Sequence, residues 1–292
     1  MKLLVTGGAG FIGSAFCATA KAKGHDVRVI DVVAGHDLGN KQALEWQMAD
    51  YRPDWVVHLA ATPGVSSAAG VGITDMKNTA NLLETMVPGT KILFVSTGSV
   101  YGRQYMFPTL ECAPLRPQES YYAAAKLGCE GLVSSYCGQT ASTGVVLRLG
   151  TIIGPGNNKG FIRDFVQRLR VDPTKLVTWG NGEQVKSYLH IADMVSAMWA
   201  AMDKADGYNE YNVSHDRHAS IKQCIPWVLD EIGVSPVVEY GTGVTGTFGD
   251  IPVIKLCNMK LRGLGWEPQY SIENAVRANV RWLLDVQQKA AA

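Results

Sequence analysis

The sequence predicts an α/β protein built on a doubly wound parallel sheet, with a smaller C-terminal α/β lobe. Three observations carry that expectation. A strand, a glycine-rich turn and a helix open the chain; short apolar runs then alternate with helix-compatible segments; and beyond IIGPGNNKG (152–160) the alternation loosens.

The opening MKLLVTGGAGFIGSAFCATAKAKGHDVRVID reads as one βαβ unit. Leu3, Leu4 and Val5 form a short buried-strand run, Ser14 to Lys23 favours helix, Gly24 stops it, and Asp26 to Val32 returns as a strand. The apolar runs WVVHLA (55–60), KILFVS (91–96) and VVLRLG (145–150) are separated by NTANLLETM and YYAAAKLGCEGLVSSYC, the alternation of a parallel sheet. Past residue 154, strand candidates (LVTW, YNEYNV, VVEY) and helix candidates (FIRDFVQRLR, IADMVSAMWAAMD, IKQCIPWVLDEIG, SIENAVRANVRWLLDVQQ) mix without strict order. The chain shows no internal repeat.

Composition excludes several classes. The 292 residues are enough for a sizeable core, and 27 Lys and Arg against 26 Asp and Glu, with no basic block, leave no footprint for nucleic acid or an anionic membrane. Six scattered cysteines without a CxxC pair, and no secretory signal before the first strand, predict reduced thiols in the cytoplasm. No apolar run approaches the ~20 residues that span a bilayer. The six histidines lack HExxH or comparable spacing, so no metal is expected.

TGGAGFIG places Gly7, Gly10 and Gly13 between a strand and a helix, spaced GxxGxxG. A turn this tight needs residues without Cβ, so that backbone N–H groups approach a pyrophosphate at a helix N-terminus whose dipole favours negative charge. Asp31 ends the second strand, where a carboxylate can accept hydrogen bonds from an adenosine ribose or simply cap a loop. It would repel a 2′-phosphate, and Val32 and Val33 follow with no Arg or Lys beside them, which favours NAD over NADP.

YYAAAK (121–126) sets Tyr122 and Lys126 four apart on one helical face. A phenol is a poor base at neutral pH, but a nearby ammonium and a positive nicotinamide ring both favour phenolate. Tyr122 can then take a hydroxyl proton while hydride leaves the same carbon. VSTGSVYG (95–102) adds three hydroxyls, Ser96, Thr97 and Ser99, at a strand end.

Taken together, TGGAGFIG, HLAA (58–61), VSTGSVYG, YYAAAK and LRLGTIIGPG resemble the extended short-chain dehydrogenase/reductase family of the NAD-dependent epimerase/dehydratase type. YLHIAD (188–193), NVS (212–214) and GWEP (265–268) extend the resemblance over nearly the whole chain. It implies a Rossmann-like NAD-binding domain over 1–154, carrying the YxxxK helix, and a substrate-binding lobe over 155–292, with chain crossovers between them. It implies Thr97, Tyr122 and Lys126 as the catalytic set. Gly7, Gly10, Phe11, Ile12, Gly13, Asp31, Asp37, Leu38, Leu59, Ala60 and Ala61, with Tyr122 and Lys126, would hold NAD. Ser96 would support the strand end, and a homodimer is expected.

The two positions after Thr97 separate relatives by reaction. Sugar-nucleotide 4,6-dehydratases typically carry Asp and Glu there, and UDP-glucuronate decarboxylases a Glu at the second; this chain has Gly98 and Ser99. A small residue followed by a hydroxyl is similar to UDP-sugar 4-epimerases, with Ser99, Thr151, Lys186 and Asp250 toward the substrate. Net oxidoreduction of a different sugar nucleotide or small alcohol is the alternative expectation, and a non-catalytic redox-sensing protein a third.

The chain departs from that pattern at several points. Thr151 stands for a usual Asn, Lys186 for Arg, Asp75 and Asn78 for the Asn and Gly before NLLE, and TGTFGDIP (245–252) lacks an Arg shortly before GD. Lysine cannot reproduce the fork of Arg. Lys159, Arg163 and Arg217 are candidates to compensate, Trp179 and Phe248 to stack on a base, and His190 reads as a satisfied side chain beside a helix start.

Overall fold

The computed structural model describes residues 1–62, 69–118, 120–244 and 251–291. In chain order the elements of the first half are β1 (Lys2–Thr6), α1 (Phe11–Ala22), β2 (Asp26–Ile30), α2 (Lys41–Tyr51), β3 (Trp55–His58), α3 (Ala69–Thr85), β4 (Lys91–Thr97), α4 (Tyr121–Thr140) and β5 (Gly144–Leu149). There follow β6 (Thr151–Ile153), α5 (Gly160–Val171), β7 (Lys175–Val177), β8 (Val185–Lys186), β9 (Tyr188–His190), α6 (Ile191–Asp203), β10 (Tyr208–Val213), β11 (Ala219–Ser220) and α7 (Ile221–Ile232). The chain closes with β12 (Val237–Glu239), β13 (Val253–Ile254), α8 (Met259–Arg262) and α9 (Ile272–Ala291).

The main sheet is parallel throughout, in the order β10-β5-β4-β3-β1-β2. Its inner strands are buried on both faces, which is why they read as unbroken apolar runs rather than alternating ones. Side chains still divide by parity: Leu3 and Val5 pack with Phe16 of α1 and Met198 of α6, while Leu4 packs with Met48, Leu82 and Val133 on the other face. The strand order reverses between β1 and β3, and in open α/β sheets the crevice at such a point takes the ligand.

The helix that the glycine turn launches starts at Phe11, three residues before the apolar period shows itself, because the turn itself forms the N-terminus. Strand β2 stops at Ile30, since Asp31 caps a short 3-10 turn over Val32–Ala34 by accepting from the Val33 N–H. The polar helix α2 has no sequence-level expectation; it buries only Leu44, Met48 and Tyr51 and is started by the Asn40 side chain. Helix α3 also begins well before NTANLLETM, and it lies directly on α4: a Cβ on Gly72 would sit 3.0 Å from Ala125 Cβ and 3.2 Å from the Tyr121 carbonyl.

YNEYNV falls past residue 154 yet closes the edge of the main sheet as β10, parallel to β5. Helix α6 returns with it and packs on α1. Helix α8 also joins the main core through Leu261, while α5, α7, α9 and the strands beside them surround a core of their own, with Phe165, Leu176, Tyr188, Ile225, Val276 and Val280 in it. All six cysteines are free thiols, and no helix of the described residues is long and apolar enough to cross a membrane.

His58, at the end of β3, joins β1 to α3 beneath the crevice. Its Nδ1 lies 2.7 Å from Thr6 Oγ1 and its Nε2 3.0 Å from Thr79 Oγ1, and the ring is fully buried. Burial, assisted by the charge of Lys126, lowers its pKa from 6.5 to about 3, so the folded protein keeps it neutral where the unfolded chain takes up a proton. Stability is therefore present above pH 6.5 and lost as pH falls toward 3, at about 1.4 kcal/mol per pH unit from this group. His190 and His218, also lowered by burial, act with the same sign. Urea unfolding between pH 6.5 and about 5, above most carboxylate titration, should lose stability less steeply in His58→Gln than in the wild type by about 1 kcal/mol per pH unit.

Candidate active site

The crevice is framed by the turn after β1 and the Leu59–Ala61 segment after β3. Gly7 has φ of 70°, and a Cβ there would lie 2.7 Å from the Ala60 nitrogen; one on Gly13 would lie 2.2 Å from the Gly7 carbonyl oxygen. These two glycines let turn, helix and neighbouring loop close on one another. Gly10 differs, since a Cβ would meet only the Gly7 oxygen at 3.2 Å, so the space beside it is open. That open space is bounded by the N-terminus of α1, where free N–H groups suit a pyrophosphate.

Two adjoining volumes share Gly7, Gly10, Leu59 and Ala61 and form one elongated cleft. The outer part, about 350 Å³, is walled by Asp31, Asp37, Leu38, Ala60 and Asp75. The inner part, about 530 Å³, holds Phe11, Ile12, Gly13, Thr97, Tyr122 and Lys126. Asp31 caps the loop, Oδ1 accepting from the Val33 N–H at 3.0 Å and Oδ2 from the Ala9 N–H at 2.9 Å, and it also lines the outer cleft. All of the residues expected to hold a dinucleotide thus line a single groove, and the glycine cradle and the carboxylate fit NAD.

Helix α4 brings the two motif residues to the inner cleft. Ser120 caps it, accepting from the Tyr122 N–H at 3.1 Å. Lys126 is 5% exposed; its Nζ donates to the Val95 carbonyl at 2.8 Å and sits 4.7 Å from the centre of the Phe94 ring. Burial lowers its pKa to about 8, which leaves it cationic at neutral pH. Burial and the charge of Asp75 push Tyr122 up to about 12, so the phenol keeps its proton. Thr97 ends β4, and its Oγ1 accepts from the Ser99 N–H at 3.2 Å, leaving the hydroxyl hydrogen free to donate into the cleft.

The other two hydroxyls are placed differently. Ser96 also lines the inner cleft, but its hydroxyl donates to Glu130, which also takes Arg148 in a bidentate pair, with Nη2 to Oε2 at 2.8 Å. Ser99 lies two residues beyond Thr97 in the short 3-10 turn and is not among the residues lining the cleft or the cavity described next.

A separate cavity of about 280 Å³ opens in the C-terminal lobe among Phe161, Asp164, Arg168, Trp179, Gln184 and Tyr188, with Thr151 and Lys186 in its wall. Thr151 and Gly160 line this cavity while their chain neighbours Ile152 and Lys159 line the inner cleft, so the same two segments contribute to both walls. Trp179 is 59% exposed, and the Arg168 guanidinium lies 4.9 Å from the centre of its ring. Arg163 is turned to Asn158 and Asp164, and Arg217 lines neither space. His190 caps α6, accepting from the Ala192 N–H at 3.1 Å. Asp250, Thr247 and Phe248 lie outside the described residues. Sequence reasoning did not reach Phe161, Asp164, Arg168 or Gln184, which carry no motif and are collected only by packing around α5. Among the described residues no cluster of His, Cys, Asp and Glu could hold a metal.

Residues 3–214 match the family described as NAD dependent epimerase/dehydratase family. The chain belongs to this family. Among its relatives is the UDP-glucose 4-epimerase of Mycolicibacterium smegmatis, 27% identical, the alignment covering 99% of this chain and 100% of that protein. The structure of a Thermotoga maritima UDP-glucose 4-epimerase with UDP-glucose superposes with a TM-score of 0.87 at 27% identity, over 98% of this chain and 100% of that one. A Thermus thermophilus UDP-glucose 4-epimerase in complex with NAD gives 0.85 at 28% identity, over 97% and 99%.

NAD is the cofactor of this epimerase/dehydratase family member, and the cradle makes a sharp demand for it. Gly13→Ala should abolish NAD binding in a calorimetric titration, because its Cβ lands 2.2 Å from the Gly7 oxygen on backbone that cannot yield. Gly131→Ala, with open space around it on α4, should bind NAD as the wild type does.

Proposed function

We propose that the chain is an NAD-dependent nucleotide-sugar 4-epimerase of the UDP-glucose/UDP-galactose type. The observation that carries the reading is at Gly98, beside the catalytic Thr97. A Cβ there would meet Leu256 Cδ1 at 2.9 Å and the Leu149 carbonyl at 3.0 Å, and the next residue is Ser99. The site is therefore tight against any side chain at the first of the positions that the resembled dehydratases use to eliminate water, and carries a hydroxyl at the second. What remains is machinery for removing and restoring one hydroxyl proton and one hydride.

When bound, the nicotinamide supplies a two-electron acceptor that can hand hydride back. The protein residues do the rest. Thr97 donates a hydrogen bond to the reacting oxygen, and Tyr122 exchanges the proton with it. Lys126 holds a positive charge below them that favours phenolate once a second positive charge, the oxidised ring, is present. The cavity around Trp179 and Phe161, whose wall residues Thr151 and Gly160 are chain neighbours of Ile152 and Lys159 in the inner cleft, suits a nucleotide carrier extending away from the sugar. Lys186 lines that cavity and Lys159 the inner cleft. Net NAD-dependent oxidation of another sugar nucleotide or small alcohol is the second reading, favoured by Lys186 and Thr151 in place of Arg and Asn.

Incubated with UDP-galactose and separately with UDP-glucose, and followed by NMR of the sugar ring protons, the protein should bring both to one equilibrium mixture. NADH should not accumulate. Tyr122→Phe should slow this by roughly 10²–10⁴-fold, the usual worth of a positioned acid–base group. Stoichiometric NADH with no interconversion would replace epimerisation by net oxidation; no change in either sugar with NAD supplied would rule out the UDP carrier.

A further inference from the structure

A further hollow, of about 330 Å³, opens in the loop between Gly102 and Ser120 and shares no lining residue with the cofactor cleft or the cavity of the C-terminal lobe. Neither NAD nor the proposed carrier accounts for it. Among its described residues the loop has no helix or strand, so its shape comes from fastenings at several points. The Gln104 side-chain amide donates to the Tyr101 carbonyl and, at 3.3 Å, to the Pro114 carbonyl, which ties two limbs of the loop together. The Arg116 N–H donates to the Val100 carbonyl at 2.9 Å; Thr109 donates to the Lys255 carbonyl at 2.7 Å and accepts from the Cys257 N–H at 2.8 Å. The hollow is built before anything enters it.

Its lining combines apolar surface with positive charge. Tyr105 and Met106 are 88% and 84% exposed, and with Phe107 and Leu110 they form the densest run of exposed large apolar side chains among the described residues. Scattered singly such residues need no explanation, whereas a group of them marks a binding surface. Tyr105, Met106 and Leu110 line the hollow together with Arg103 and Arg116, and among the described residues no carboxylate does. Glu111, within the loop, is turned away, its carboxylate accepting from the Asn212 N–H at 2.9 Å. The Arg116 guanidinium has no ion pair or hydrogen bond among the described residues. Lys255 adds a third cation, its Nζ 5.8 Å from the centre of the Phe107 ring.

We propose that this hollow is a second binding site, for a phosphate monoester carrying an apolar chain, with Arg103 and Arg116 at the phosphate and Tyr105, Met106 and Leu110 along the chain. Each guanidinium presents a fork of N–H groups that matches phosphate oxygens, and two of them balance the two charges of a monoester. The volume lies at the lower end of the range of small-molecule sites, ~300–1,000 Å³. A twofold contact between copies of the chain through this face would instead set arginine against arginine.

Cys112 lines the hollow and is exposed while the other five cysteines are buried, so its alkylation by iodoacetamide reports on this place. In NAD-loaded protein, hexyl phosphate should slow that alkylation saturably, followed by peptide mass spectrometry, at roughly tenfold lower concentration than inorganic phosphate or hexanol. Added salt should weaken the protection. Arg116→Gln, at an exposed residue outside the cofactor cleft, should weaken it roughly tenfold with NAD binding by calorimetry unchanged. The proposal is overturned by an absence of protection, by protection from hexanol equal to that from hexyl phosphate, by independence from salt, or by an Arg116→Gln protein as well protected as the wild type. Protection that grows with protein concentration in the absence of ligand would give the face to a second copy and overturn it too. The readout involves no sugar, so it bears on this site and not on the choice of reaction.

Discussion

The buried ion pair between Arg148 and Glu130 is the constraint on which the site depends. Both side chains are almost fully buried, 4% and 3% exposed, and such a pair is tolerable only when its remaining donors and acceptors are also occupied. Here they are. Ser96 donates to Glu130, while Arg148 also donates to the Tyr101 hydroxyl at 3.0 Å and to the Glu111 carbonyl at 2.9 Å. Tyr101 passes its hydrogen to Asn212, which fixes β10 and the Thr109 carbonyl. The network ties α4 to β4, β5 and β10 at once. The heights of Tyr122 and Lys126 over the sheet follow from that fastening, because Glu130 stands one turn beyond Lys126 on the same helix.

Fastening α4 this deeply has an electrostatic consequence. Lys126 is carried under the cleft, out of water, where its charge is costly and its pKa falls to about 8. Tyr122 above it is pushed the other way, to about 12. Burial thus makes both charges costly: Tyr122 keeps its proton, and Lys126, though lowered, stays cationic at neutral pH. On the epimerase reading, phenolate is favoured once a further positive charge enters, and the oxidised cofactor would supply it.

Much of this was legible in the sequence, and the reasons are physical. Parallel strands are buried on both faces, so WVVH and KILFVST announce themselves by composition. The glycine turn is legible because its backbone leaves no space for Cβ at Gly7 or Gly13. YLHIAD and GWEP are joined in the structure: Asp193 accepts from the Gln269 and Tyr270 N–H groups just after GWEP, at 2.9 and 3.1 Å, and Trp266 donates to Ser196 at 2.9 Å. Those motifs mark scaffold. The α2 helix and the two-residue strands of the C-terminal lobe stayed hidden because they bury few residues and owe their shape to partners distant in the chain. The cavity of the C-terminal lobe was hidden for the same reason, its lining drawn from α5, the Thr178–Lys186 region and α7 without a common period.

The proposed choice of reaction also depends on packing between distant segments. Gly98 is confined by Leu256, which is bridged to Thr109 in the long loop before α4, and by the end of β5. A carboxylate at position 98 would need Leu256 and the Leu149 carbonyl to withdraw together, and backbone does not yield as a side chain does. On the epimerase reading, then, the limit to hydride and proton exchange is imposed from outside the catalytic motif. The C-terminal segment that brings Leu256 to the sheet edge also closes the space a further acid would occupy, so changing the reaction would require moving that segment along with the residue beside Thr97.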